Sequence, residues 1–405
     1  MSATAGSIGE LASLASRRTE SLFSADLDRH GRELSQAVRG SRILVIGAAG
    51  SIGSEVVRVL AELRPKALHA LDLSENGLVE VVRDLRSRGI APEDFRSLPL
   101  DFGDPSIDGV VDAYGPYDTV LSFAAIKHVR SEKDAFSLAR MLDINVARHD
   151  RLLTALARGK RAPSLIFYVS TDKAANPVSL MGASKRFMEH VVFARQPQMA
   201  ARRGSARFAN VSFSAGSLLE GFLHRLAKRQ PLAAPAGIRR YFVSPREAAE
   251  LSVLSAYVNP AQTIGIPRLD PDEDLVPMDV IAERVLAHHG YKAYRVSSED
   301  EARRFPVGDG GRWPLLITPG DTAGEKPYEE FVGSAERLVP GRLSAIQCVA
   351  YQGPPEPDIA AALGEIEAFI AGRKGWRIAD AADIIRTVVP ELAHISSDQK
   401  LDDRM

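Results

Sequence analysis

The sequence predicts an α/β fold in which a doubly wound parallel sheet carries a smaller α+β cap. Three observations predict it. Short apolar runs alternate with helical periods from residue 43 to residue 211. The stretch Ile43–Gly53, ILVIGAAGSIG, joins an apolar run to a helical period through glycines at 47, 50 and 53. Past Val211 the regular alternation stops. We expect a helical extension over residues 1–40, a sheet domain over 41–211, a cap with interleaved segments over 212–340, and a second helical extension over 341–405.

Composition narrows the class. The chain has 405 residues, 45% hydrophobic and 25% charged, with a net charge of -1, so neither nucleic acid nor an anionic membrane is an expected partner. One cysteine, Cys348, excludes an intrachain disulfide and a thiolate metal site, and fits a reducing cytoplasm. No metal is expected. No apolar run approaches the ~18 residues that span a bilayer, and the first residues lack a signal-peptide plan. The expected protein is cytoplasmic and is not inserted in a membrane.

Taken in order, residues 1–16 read as mobile or loosely docked. Ser24–Val38 follows as an amphipathic helix through Leu27, Leu34 and Val38, serving packing or a dimer contact. Ile43–Ile46 is a buried strand, and Ser51–Leu63 has helical period. A strand, a glycine turn and a helix build a phosphate site: the glycines let the backbone approach a pyrophosphate, and free N–H groups at the helix start attract its charge. Gly47, Gly50, Ser51, Ile52 and Gly53 are the candidates there, and the unit is Rossmann-type.

Ala67–Asp72 is a second strand ending in an acid. Asp72 can accept from both adenosine ribose hydroxyls and would repel a 2′-phosphate, which argues for NAD over NADP; capping the next helix is its plainer role. Ser74 and Asn76 follow as further cofactor contacts. Asn76–Arg86 reads as a helix and Ser97–Asp101 as a third strand, with Asp101 and Phe102 placed for the adenine edge or for a plain turn. Asp118–Phe123 is a fourth strand. Ala124 and Ala125 after it allow close approach to the cofactor, and Lys127 and His128 lie where substrate could sit. Ala139–Leu156 is a long helix carrying Asn145. Ser164–Ser170 is a fifth strand, leading into TDKAANPVSLMGASK and a helix through Arg195; Arg207–Val211 is a sixth strand. Ligands of such a sheet lie at the carboxyl ends of its strands.

Beyond Val211 come a helix over Leu218–Gln230, an extended piece and helix in RRYFVSPREAAELSVLSAYV, a helix over Pro277–His289, and Tyr291–Val296. Trp313–Pro319 is a strand before the polar loop GDTAGEKPYEEF. Two helices, Pro357–Ala371 and Ile378–Val389, precede a polar tail.

Ser170 with Lys185 is the skeleton of a short-chain dehydrogenase/reductase site, in which a serine and a Tyr-x-x-x-Lys pair handle the carbinol proton. Residues 181 and 185 share a helical face, but Met181 stands where the tyrosine belongs, and a thioether has no proton to exchange. Met181 is either a core side chain or a site residue whose task has moved to its neighbours. Those neighbours are Thr171, Asp172 and Lys173, which restore acid–base capacity at the strand end. The segment STDKAANPVSLMGASK resembles the active-site segment of nucleotide-sugar 4,6-dehydratases of the capsular-polysaccharide and flagellin-glycosylation type, in the extended short-chain dehydrogenase/reductase family. GAAGSIGSE, AAIKHV, RF-x-NV and RRYFVSPREA match the same family, together covering about Ile43 to Ala256. Large members of that family also carry methionine at the tyrosine position.

The resemblance implies roles. Asp172 would protonate the departing C6 hydroxyl, and Lys173 would remove the C5 proton. Thr171 and Ser170 would hold the C4 hydroxyl, and Lys185 the nicotinamide ribose. Lys127, His128, Asn145, Asn210, Ser217 and Arg240 would line the substrate or nucleotide pocket, with Lys127 and Asn145 also beside the cofactor. Ala209 replaces the usual glycine after RF, and AGIRRYF lacks the usual Asp and Thr, which leaves the nucleobase open. SLFSADLDRHGRELSQAVRGSRILVIG and WPLLITPGDTAGEKPYEEF resemble soluble dehydratases of legionaminic-type pathways, in which the donor is UDP- or GDP-N-acetylglucosamine. The resemblance implies a homodimer or larger assembly. The alternatives are a nucleotide-sugar 4-epimerase, or a catalytically silent NAD-binding partner of a membrane glycosyltransferase.

Overall fold

The computed structural model describes residues 8–127, 132, 134–195, 199–319, 328–373 and 377–394. Strands β1 (Arg42–Ile46), β2 (Ala67–Asp72), β3 (Asp94–Pro99), β4 (Thr119–Ser122), β5 (Leu165–Val169) and β6 (Arg202–Ala206) pair in parallel in the order β3-β2-β1-β4-β5-β6. Next in the chain come β7 (Asn210–Val211), β8 (Leu232–Pro235) and β9 (Arg239–Val243), followed by β10 (Thr263–Pro267), which adds to β6 in parallel. The remaining strands are β11 (Leu275–Pro277), β12 (Lys292–Val296), β13 (Arg312–Thr318), β14 (Leu338–Val339) and β15 (Ile346–Ala350). Strand β15 runs antiparallel to both β10 and β14, closing a nine-stranded sheet. Two three-stranded sheets, β11-β9-β7 and β12-β13-β8, build the cap.

The predicted doubly wound sheet is therefore present. Its strand order reverses between β1 and β4, and the glycine turn leaves β1 at that point, where such sheets bind ligands. The period of two is visible in the packing: Ile43, Val45, Leu68, Ala70 and Phe167 enter one core, while Leu44, Ile46, Leu71, Ile166 and Tyr168 enter the other. The first core is closed by helices Gly53–Glu62 and Pro245–Tyr257. Ser244 starts the latter with a capping box: its hydroxyl accepts the Glu247 N–H, and Glu247 accepts the Ser244 N–H.

On the other face, helix Leu180–Ala194 lies against helices Ala135–Leu142 and Arg148–Arg158. Helices Glu356–Ile370 and Ile378–Arg386 cover these as an outer layer, through Ile359, Leu363, Ile366, Phe369 and Ile385. From Leu180 to Phe193 every side chain is buried in consequence.

Several elements differ from expectation. Residues 8–16 are not loose: Ile8–Ser16 is a helix with Leu11, Ala12 and Ala15 buried, and Ala15 joins the cap core. Arg18 then pairs with Glu247 and Asp274. Helix Ser24–Val38 stands where its period put it, and its buried Asp26 accepts N–H groups of Ser344 and Ala345, a packing role. The third strand lies earlier than Ser97–Asp101, at Asp94–Pro99, because half-exposed edge residues carry no clear alternation. The sixth strand is Arg202–Ala206 and not Arg207–Val211: RRGSA has little apolar content, yet it is buried against helix Pro245–Tyr257. Asn210–Val211 instead pairs with β9 in the cap. The helix expected over Ala139–Leu156 begins at Ala135 and carries a π-helical turn, Asp143–Ala147. Strands β10 and β15 were not expected; TIGIP and IQCVA are too short and mixed to read as core. They draw residues beyond 211 and beyond 340 into the main sheet, so cap and sheet interleave.

Beneath the strand ends lies a buried ionic cluster. Arg207, fully buried, donates to both oxygens of Glu189 at 2.9 and 2.7 Å and to Glu336 at 2.8 Å. Arg186 reaches Glu189 at 2.9 Å and Glu336 at 2.7 Å. Burial opposes charge on Glu189, but the two guanidinium groups overcome that and hold its carboxyl below the usual range. Breaking one side of such a cluster strands the other. Arg207→Ala is expected to cost on the order of 3–5 kcal/mol in urea unfolding. The exposed pair partner Arg83 should cost about 0–1 kcal/mol on the same change.

Candidate active site

The site begins at the glycine turn. Gly47 has φ +74, and a Cβ there would stand 2.5 Å from the Ala124 nitrogen, so the turn presses directly on the chain leaving β4. A Cβ on Gly53 would stand 2.0 Å from the Gly47 oxygen, so helix Gly53–Glu62 can start this close only on glycine. Gly47, Gly50, Ser51, Ile52 and Gly53 line a cavity of about 520 Å³. Asp72 stands at the end of β2, where Oδ2 accepts the Ala49 N–H at 2.9 Å and Oδ1 the Ser74 N–H at 2.8 Å. Each oxygen keeps a further lone pair, which is what two ribose hydroxyls require. This cradle fits a dinucleotide: Gly47, Gly50, Ser51, Ile52 and Gly53 would hold its pyrophosphate and Asp72 its ribose.

Across the cavity, Thr171 caps a short 3₁₀ turn, Asp172–Ala174. Thr171 Oγ1 donates to Asp172 Oδ1 at 2.7 Å, and Lys173 Nζ lies 3.4 Å from Asp172 Oδ2. Thr171, Asp172, Lys173, Ser170, Met181 and Lys185 all line the cavity. The turn is seated on helix Leu180–Ala194 at Gly182, where a Cβ would stand 2.4 Å from the Lys173 oxygen. Ser179 caps that helix, and Glu132 accepts the N–H groups of Leu180 and Met181 at 3.0 and 2.9 Å. Met181 is buried and presents only a thioether to the cavity. Ser170 donates its hydroxyl proton to Glu189 at 2.6 Å, so it links the site to the cluster below. Lys185 donates to the Val169 carbonyl at 2.7 Å; burial lowers it to about 7, partly countered by Glu189.

The cap supplies the remaining wall, with Asn210, Ser217 and Arg240 among apolar Ile238, Phe242 and Met278. Ser51 Oγ accepts the Ala215 N–H at 2.9 Å, tying the glycine turn to the cap loop. Ala125 and Lys127 line the cavity from the β4 side. Lys127 contacts Ser214 at 3.5 Å, and burial lowers its pKa while Glu220 opposes that.

Other expected residues stand elsewhere. Asn145 is buried behind the wall; the π-helical turn points its amide at the Ile126 main chain (2.8 and 2.9 Å) and Ser184 (3.0 Å), a clamp that uses both ends of the amide. Asp101 is taken up by Arg148 and by the Gly103 N–H, and Phe102 is in the core against His149. Ser74 caps helix Glu75–Ser87 and is exposed, as is Asn76. Ala124 abuts Gly47 instead of the cavity. His128 lies outside the described residues. Sequence reasoning missed Glu132, Glu189 and Glu329, three carboxylates that come from separate segments and form no motif. Among the described residues no group of His, Cys, Asp or Glu could hold a metal ion, and no helix is long and apolar enough to cross a membrane.

A family model described as "Polysaccharide biosynthesis protein" matches residues 43–349. An uncharacterized membrane protein of Methanocaldococcus jannaschii is 28% identical over 306 residues, covering 74% of this chain and 83% of that protein. The probable polysaccharide biosynthesis protein EpsC of Bacillus subtilis is 28% identical over 311 residues, 75% of this chain; the chain spans about half, 47%, of EpsC. Among solved structures, the Bordetella bronchiseptica enzyme WbmF in complex with NAD+ and UDP superposes with a TM-score of 0.51 at 18% identity, over 89% of this chain and 99% of that one.

The glycines separate by their surroundings. Gly182→Ala must displace the Lys173 carbonyl and should lower the melting temperature. Gly364→Ala, with nothing within 4 Å in the middle of helix Glu356–Ile370, should gain about 0.5–1 kcal/mol. Thermal melts of the two variants check this.

Proposed function

The chain belongs to the polysaccharide biosynthesis protein family, within the extended short-chain dehydrogenases/reductases, and from that premise we propose an NAD-dependent 4,6-dehydratase acting on an NDP-N-acetylglucosamine. The observation that carries the reading is the hydrogen-bonded run Thr171–Asp172–Lys173 at the cavity wall opposite the glycine turn. The cofactor is NAD, supported by Asp72 at the ribose position and by the NAD+ of the Bordetella neighbour. Held by Gly47, Gly50, Ser51, Ile52, Gly53 and Asp72, NAD would supply the hydride chemistry between sugar C4 and C6.

The chain's own residues move the protons. Thr171 directs its hydroxyl proton at Asp172 and accepts the Lys173 N–H at 3.5 Å, which leaves one lone pair for a C4 hydroxyl. As C4 is oxidised, Thr171 takes that hydroxyl's proton and passes its own to Asp172. The ketone makes the C5 proton acidic, and Lys173 removes it. Asp172 gives its proton to the C6 hydroxyl, and water leaves across C5 and C6. Lys173 returns the proton to C5 as C6 is reduced. One proton taken up at C4 is thus matched by one given to the departing water, and the balance closes without a tyrosine at position 181. Arg240 and Asn210 face the side where the nucleotide diphosphate would lie, and Lys185 the nicotinamide ribose. The product is a 4-keto-6-deoxy sugar nucleotide for a surface glycan or for flagellin glycosylation. A UDP or GDP donor, a legionaminic-type pathway, a cytoplasmic location and a homodimer or larger assembly belong to the same proposal. A 4-epimerase shares the first step but needs no acid at C6, which disfavours it here. A silent NAD-binding partner would need no acid–base run.

Side-by-side incubation with UDP- and GDP-N-acetylglucosamine tests the reading. Substrate deuterated at C4 should give a product lighter by one water with the label on its C6 methyl group; label returned to C4 without mass loss would establish an epimerase. Asp172→Asn and Lys173→Met should each lose ~10²–10⁴-fold in dehydration with cofactor binding intact. Met181→Ala should be milder. Asp72→Ala should relax the preference for NAD over NADP in a binding titration.

A further inference from the structure

The last turn among the described residues is remote from the cavity in sequence and close to it in space. After helix Ile378–Arg386 the chain buries Val388, Val389 and Leu392 in the core that also holds Leu180 and Met181. Arg186 Nε donates to Glu391 at 3.1 Å. The next two residues meet two separate segments of the active site. The Ala393 N–H donates to the Pro177 carbonyl at 3.0 Å. His394 Nε2 lies 3.7 Å from the Glu132 oxygen that accepts the Leu180 N–H, and the other Glu132 oxygen accepts the Met181 N–H.

The segment they meet needs support from outside. Residues 170–179 join β5 to helix Leu180–Ala194, and their regular structure is the short turn Asp172–Ala174. So short a turn has little stability of its own, and the polar groups around it must find partners elsewhere. Distant parts of the chain supply them. A Cβ on Gly333 would stand 2.4 Å from the Ala175 oxygen, and the Asn176 side chain accepts the Ser334 N–H at 3.0 Å and donates to Glu330 at 2.8 Å. That same stretch brings Glu329 to the Asn210 amide and to Arg240. Pro177 has its partner in Ala393. Glu132 follows β4, as does Lys127, which lines the cavity. Adjacent residues 393 and 394 therefore hold the segments after β4 and after β5 together.

We propose that residues 388–394 form a strap in which Ala393 and His394 are positioning residues: acting through Pro177 and Glu132, they hold the Asp172–Lys173 turn and the start of helix Leu180–Ala194 in place on the cavity wall. The effect on rate rests on the dehydratase reading; the contacts do not. Val388, Val389 and Leu392 fix the strap to the helical layer, and the two polar contacts pass that position on to the reacting groups. An acid and a base lose rate steeply when their placement slackens by as little as an ångström.

Four variants of the full chain test this. Ala393→Pro removes the amide proton and Ala393→Gly keeps it; His394→Ala removes the ring and His394→Gln keeps a side-chain donor. Hydrogen exchange of the amides between residues 172 and 182 should accelerate about fivefold or more in Ala393→Pro and His394→Ala, the loss of one contact. Ala393→Gly and His394→Gln should stay near the wild type. In the same two damaging variants kcat should fall ~10-fold. KM for the nucleotide sugar and the affinity for NAD should hardly move, because Gly47–Gly53, Asp72 and Arg240 stand on other elements. Should Ala393→Pro fail to fold, His394→Ala against His394→Gln decides by the same readouts. Variants that only melt lower, with exchange at 172–182 unmoved, overturn the proposal. So does an unchanged kcat in an enzyme that dehydrates, or an equal loss in Ala393→Gly and Ala393→Pro. If the wild type dehydrates no NDP-N-acetylglucosamine while exchange at 172–182 responds as expected, the function reading fails and the strap stands.

Discussion

The hydrogen bond from Ser170 to Glu189 ties the chemistry of this protein to its interior. Ser170 follows the fifth strand, Glu189 lies in the helix that carries Met181 and Lys185, and Arg207 follows the sixth strand. Through Arg207 and Arg186 the same cluster holds Glu336, and with it the segment that brings Glu329 to the site. Four charges without water are costly unless every one is matched. Their mutual geometry is therefore narrow, and it sets the relative placement of a strand end, a helix and a distant loop. The Thr171–Asp172–Lys173 turn sits on that base, locked against the helix at Gly182.

Much of the sheet was legible in the sequence because its central strands are buried on both faces and read as unbroken apolar runs. ILVI and LIFYV leave little choice. The glycine turn was legible for a related reason: close backbone approach admits no other residue, as the contacts at Gly47 and Gly53 demonstrate. The strands that escaped are those whose burial is imposed by neighbours. RRGSA and TIGIP are covered by helix Pro245–Tyr257, and no property of the strands themselves announces that. Around the site the same division holds. Residues contiguous in sequence, from Ser170 to Lys173 and from Gly47 to Gly53, were found together at the cavity. Side chains whose role depends on orientation were not. Asn145 turns away because a π-helical turn aims it at Ile126, and Asp101 is held by Arg148 and the Gly103 N–H. Glu132, Glu189 and Glu329 are far apart in sequence and are brought near the site only by folding.

Met181 is best understood through what surrounds it. A tyrosine at this position would bring a hydroxyl into a wall that already contains Lys185, displaced from its ordinary protonation by burial, and a Thr171 hydroxyl directed at Asp172. The thioether instead gives the cavity an apolar lining here, and the helix start is held through its main-chain N–H groups by Glu132 and Ser179. In the proposed reaction the proton transfers run along residues 171–173 on one side of the cavity, and Met181 takes no part in them. That proposed reaction needs its acid and its base adjacent and fixed relative to each other. The 3₁₀ turn meets that need. Consecutive residues on so tight a turn cannot separate, and the glycine seat below and the Ser170 anchor before it leave the turn no alternative position.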